Sequence, residues 1–204
     1  MFIKRSLMMT NEEELNDKFA MSMTKSITGS RRLAREKVMQ ILMSTEVSEI
    51  PWEENFSHIF YRKFNFGDKE EKQTKLLTEE EIFELEADIP IKWEEDEIQF
   101  GRDLVKLTLQ NKEEINELIK SHTANWHLDR IAKIDILLMQ IAITELLKFE
   151  EIPTKVSINE AIDIAKKYST HKSGTFINGI LDSIFIQLKK DNLIKKSGRG
   201  LINN

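Results

Sequence analysis

The stretch RIAKIDILLMQIAITELLKF, residues 130–149, decides the fold. Ile131, Ile134, Leu138, Ile141 and Ala142 recur at the three- and four-residue spacing of a helix. Apolar residues also fill much of the remaining circumference, and a helix that is apolar nearly all round belongs at the centre of a protein. Asp129, just ahead of it, is the expected N-cap.

Other helices read outward from this one. After Pro153, Ser157 and Glu160 have capping-box spacing and are expected to open a helix with Ile158, Ala161, Ile162 and Ala165 inward. Ser173 or Thr175 opens the last helix, with the stripe Ile177, Ile180, Leu181, Ile184 and Leu188. Toward the N-terminus, a helix over 95–110 turns Ile98, Leu104, Val105 and Leu107 inward. Another begins at Asn111 with Glu114 and carries Ile115, Leu118 and Ile119. Ser30 caps a helix over 30–45 with Ala34, Val38, Ile41 and Leu42 on one arc. Pro51 starts a further one bearing Trp52, Phe56, Ile59 and Phe60. Thr78 with Glu81 predicts a short helix over 79–87. No segment alternates with a sustained period of two. Seven glycines and three prolines in 204 residues are too few for the turns of a β-sandwich, so the chain reads as all-α.

There is no cysteine, which excludes disulfides, thiol nucleophiles and cysteine-ligated zinc and fits a reducing compartment. No apolar run approaches the ~20 residues that cross a bilayer, and no signal-peptide core is present, so a cytoplasmic protein without membrane contact is expected. The formal net charge is −5 but unevenly spread. Residues 46–97 hold seventeen acidic and six basic side chains, whereas residues 30–45 hold four basic and one acidic. Local potential acts within a Debye length of roughly 8–10 Å, so that basic patch matters more to a partner than the total.

No catalytic constellation is legible. His122 and His127, five residues apart, diverge on a helix and make a poor metal pair. No P-loop and no GxGxxG occurs. No cofactor, no metal and no enzymatic activity are expected. Two features point elsewhere. GSRRLAREKVMQIL, residues 29–42, puts Arg31, Arg32, Arg35 and Lys37 on and around one shoulder of an amphipathic helix, as either a solvated flank or contacts to a phosphate backbone. Phe176, near Lys172, lies one residue off the stripe of the last helix, as either a packing residue or a surface on which a base stacks.

RRLAREKVMQIL, RIAKIDILLMQIAITELL, and IPTKVSINEAIDIAKKYS followed by FINGILD together resemble the NusB family of transcription antitermination factors. The resemblance covers about residues 30–188, with 46–95 as a divergent acidic insertion. Residues 1–29 then form a mobile extension and 189–204 a basic flexible tail. It implies an all-α fold of about seven helices in two small packed subdomains. It also implies a non-enzymatic protein that binds boxA-type single-stranded RNA of ribosomal RNA transcripts. The implied partner is NusE, a small-subunit ribosomal protein, within an RNA polymerase antitermination complex. Arg31, Arg32 and Arg35 match the family's arginine-rich motif, with Leu33 in place of a third consecutive arginine, and Phe176 matches its RNA-contacting aromatic. Lys172 stands where well-known members are acidic, and NusE contacts fall near Met43 and Asp135. Family members are monomers or homodimers. Two rival readings are a detached NusB-like module related to ribosomal RNA cytosine methyltransferases and a helical protein–protein adaptor.

Overall fold

A computed structural model describes residues 27–48, 50–61, 91–123 and 130–202. Seven α-helices are found among them: α1 (Arg31–Val47), α2 (Trp52–Phe60), α3 (Glu95–Gln110), α4 (Lys112–His122), α5 (Lys133–Lys148), α6 (Thr154–Tyr168) and α7 (Ser173–Lys190). The only strands among these residues are β1 (Ile27–Thr28) and β2 (Ile91–Lys92), paired in parallel with Ile27 opposite Ile91. The 79–87 helix, Asp129, His127 and residues 1–26 of the N-terminal extension lie outside the described residues.

The apolar helix α5 is central, as its sequence demands. It packs on α1, α3, α4, α6 and α7. Leu138, Met139, Ile143 and Leu146 on it are fully buried, each worth about 1.5–3 kcal/mol of transfer free energy. Two of its buried polar side chains are matched: Gln140 donates to Asn116 Oδ1 at 2.6 Å, and Thr144 donates to the Gln140 carbonyl at 2.8 Å. Around it, α1–α3 pack on one another and α5–α7 form a second group, with α4 lying against α5 and α7.

Ser30 caps α1 as expected, its Oγ accepting the Leu33 N–H at 3.1 Å. Ser157 does not cap α6. That helix starts a turn earlier at Thr154 behind Pro153, and Ser157 is buried inside it with its hydroxyl donating to Glu145 Oε2 at 2.8 Å. A short-range capping signal thus lost to a tertiary partner.

The stretch 46–95 is not all insertion. Phe56 and Phe60 stack with centroids 4.3 Å apart, and the Trp93 ring lies 4.6 Å from Phe60. Gly101 on α3 admits this cluster, since a Cβ there would stand 2.7 Å from Phe60 Cζ. Residues 189–202 are likewise not a free tail. Helix α7 runs to Lys190, Asn192 turns the chain with φ 55°, and the Leu193 N–H closes on the Leu188 carbonyl at 3.0 Å. Lys196 Nζ then donates to the carbonyls of Glu145 (3.1 Å) and Phe149 (2.8 Å), and the Ser197 N–H to that of Glu150 (3.0 Å). The C-terminal carbonyls of α5 need donors, and a cation suits that end of the helix dipole.

Candidate nucleic-acid interface

The arginines of α1 meet the acidic face of α6 and the end of α5. Arg35 is 4% exposed and Glu145 is fully buried. Arg35 Nε donates to Glu145 Oε1 at 2.6 Å and its Nη2 to Oε2 at 2.9 Å, a bidentate pair, while the guanidinium lies 5.1 Å from the centroid of the Phe100 ring. This corrects the expectation for Arg35. It is a core cation held by a carboxylate 110 residues away, and it is not presented to a phosphate.

Arg32 is different. Its side chain is 54% exposed and grips Glu160 Oε1 at 2.8 Å and Asp163 Oδ2 at 3.1 Å through Nη2. Hydrogen bonding and charge from Glu160 raise its pKa, so it stays a cation at any working pH. Arg31 is half-exposed, sits 3.6 Å from Glu151 and lies over the Phe100 ring at 4.8 Å. One turn beyond, Glu36 accepts from Lys167 Nζ (2.8 Å) and Tyr168 Oη (2.7 Å). The hydrogen bond to Glu36 raises the pKa of Lys167. Lys37 is half-buried, with Nζ on Gln40 Oε1 at 3.1 Å; burial and the nearby Lys167 lower its pKa, Glu36 opposing.

These contacts align α1 with α6 and make a ridge carrying Arg32, Lys37 and Lys167. From Asp163 to Tyr168, the last residue of α6, the helix advances roughly 8 Å at 1.5 Å per residue, and Thr170 follows two residues on. There the ridge reaches a concavity of about 370 Å³ whose walls include Arg130, Asp135, Thr170, Lys172 and Phe176. Phe176 is half-buried in the first turn of α7 and packs partly on the core. Lys172, just before that helix, is exposed. The structure thus brings Lys172 and Phe176 together, adds Arg130 and Lys167, and withdraws Arg35.

The expected partner-contact residues separate. Met43 lines a second, apolar concavity of about 380 Å³ with Met39, Val47 and Ile134. Asp135 faces the first concavity instead, so the opening turn of α5 divides the two. Val47 at the rim is 81% exposed. Among the described residues, no three metal-ligating side chains converge and no helix is long and apolar enough to cross a membrane.

A family model described as the NusB family matches residues 32–185. The chain belongs to the NusB family. A relative named transcription antitermination protein NusB from Salinibacter ruber is 40% identical over 85% of this chain and 91% of its own length. One of the same name from Chloroherpeton thalassium is 39% identical over 85% of this chain and 70% of its own. Among solved structures, T. maritima NusB is similar with a TM-score of 0.59 at 26% identity, covering 79% of this chain and 94% of that one. The fold is also that of a NusB solved with NusE and double-stranded RNA, with a TM-score of 0.56 at 20% identity over 77% of this chain and 96% of that one. The family match runs through α2.

Proposed function

We propose that this NusB-family protein is an RNA-binding antitermination factor of the cytoplasm. It takes boxA-type single-stranded RNA of ribosomal transcripts together with NusE and supports RNA polymerase processivity as part of an antitermination complex. The observation that carries this reading is the concavity at the head of α7, where the ring of Phe176 lies beside Lys172 and Arg130 at the end of the α1–α6 basic ridge. An aromatic face holds an unstacked base, and flanking cations hold the backbone on either side. Arg31, Arg32, Lys37 and Lys172 act as the phosphate-facing cations, with Lys167 and Arg130 added to them. Arg32 is already paired with two carboxylates, so its contribution to affinity is a redistribution of charge rather than a free cation. The apolar concavity holding Met43 and the exposed Val47 suits a protein partner and is the proposed NusE face, with Ile134 taking the place first given to Asp135.

Two substitutions test the division of labour. Phe176→Ala is expected to weaken single-stranded RNA binding by ~1–3 kcal/mol with little change in salt dependence. Lys172→Ala is expected to lower the slope of log K against log salt by about 0.7. Parent-like binding by both variants would remove the concavity from the interface.

A further inference from the structure

Asp135 is a polar residue of the concavity that nothing among the described residues explains. It is 5% exposed, and its Oδ1 is buried with no hydrogen-bond partner among the described residues. A buried acceptor left without a donor is costly, and buried polar groups are almost always paired. Asp135 belongs to the first turn of α5, and the wall it forms also includes Phe176. Its missing donor is therefore to be sought in the concavity, beside an aromatic ring and two cations.

We propose that this concavity is a nucleobase subsite that selects guanine, with Asp135 as the residue that reads the base. This rests on the RNA-binding reading above and adds a sequence preference to it. A carboxylate has two acceptor oxygens and no donor. Guanine presents two parallel donors on its Watson–Crick edge, N1–H and the N2 amino group. Uracil presents one donor between two acceptors, and adenine and cytosine each present an amino group next to a ring-nitrogen acceptor. Only guanine satisfies both carboxylate oxygens without bringing a lone pair against one of them. Phe176 supplies the stacking face, and Lys172 and Arg130 take the flanking phosphates. Phosphate contacts alone position a strand but do not read it, so the reading group has to be of this acceptor or donor kind.

The test uses the full chain and fluorescence anisotropy with labelled uridine dodecamers carrying a single central guanosine, inosine or adenosine. Inosine lacks only the N2 amino group. The parent is expected to bind the guanosine strand about tenfold more tightly than the inosine strand, or about 1.4 kcal/mol, and more tightly than the adenosine strand. Asp135→Asn is expected to bind all three within about twofold. The parent's inosine contrast needs no variant, so it decides the question even if Asp135→Asn folds poorly. Equal binding of the three strands by the parent, or an undiminished guanosine preference in folded Asp135→Asn, overturns the guanine subsite and leaves RNA binding intact. No binding of any strand overturns the RNA reading itself and the subsite with it.

Discussion

Replacing Arg35 by alanine separates a core role from an RNA contact. The Arg35 and Glu145 side chains are 5% and 1% exposed and share two hydrogen bonds of 2.6 and 2.9 Å. Removing one partner of such a pair leaves the other charge buried, at a cost of ~3–5 kcal/mol. Here Ser157 still donates to Glu145 and a second carboxylate, that of Glu160, lies 3.8 Å from Arg35 Nη1. Without Arg35, Glu145 loses its paired cation, whereas Glu160 keeps Arg32. At about 2–4 °C per kcal/mol for a chain of this size, the melting temperature should fall by about 6–20 °C. The assay is thermal and urea unfolding followed by circular dichroism. The double variant Arg35→Met with Glu145→Leu should recover most of the loss, because apolar replacement of a whole buried pair is often neutral. RNA affinity of the folded Arg35→Ala fraction should keep the parent's salt slope. Stability within about 0.5 kcal/mol of the parent, together with a slope reduced by about 0.7, would refute the core assignment and restore Arg35 as a phosphate contact.

Ser157→Ala should cost ~1.5–3 kcal/mol, the worth of a hydrogen bond to a charged group, with helix content unchanged because α6 starts at Thr154; a cost below about 0.5 kcal/mol in urea unfolding would contradict the Ser157–Glu145 contact. Burial opposes ionisation of Glu46, but hydrogen bonds and charge from Lys112 and Lys133 outweigh it and hold its pKa below the ordinary carboxylate value. Its contribution to stability is therefore present above about pH 4.3, the unfolded value, and is lost as pH falls through the lower folded value. Urea midpoints of parent and Glu46→Gln should accordingly differ at pH 7 and converge in acid, and a constant difference would sink that reading. In Gly200→Ala the new Cβ would clash with the Glu150 carbonyl oxygen, a backbone atom; amide exchange should show Ser197 losing protection, and an unchanged Ser197 would argue against the docked C-terminal segment.

Most of the fold is legible because it is local. The periodicity of 130–149 announces a buried helix, and that helix is the one against which five others pack. Ser30 is read correctly because its cap is satisfied within three residues. Ser157 and Glu160 have the same local signature and are read wrongly. Their partners, Glu145 and Arg32, come from other helices, and no spacing rule sees across 12 or 128 residues. The same limit hides Arg35. From its own helix it is one of several arginines, and only the presence of Glu145 on an otherwise apolar helix hints at a buried counter-charge. Phe176 and Lys172 were visible as neighbours in sequence. Arg130 and Asp135 join them only because the start of α5 comes to lie beside the start of α7. The residues after 190 look basic and free by composition, yet Lys196 finds the carbonyl end of α5.

Recognition of boxA-type RNA jointly with NusE is the role proposed for this NusB-family chain. The most direct measurement is a titration of the full chain against a boxA-type RNA and a scrambled strand of the same composition, each with and without NusE, at fixed salt. Tighter binding of the boxA-type strand than of the scrambled one is expected, with a wider gap when NusE is present. Equal binding of the two strands under both conditions would contradict it.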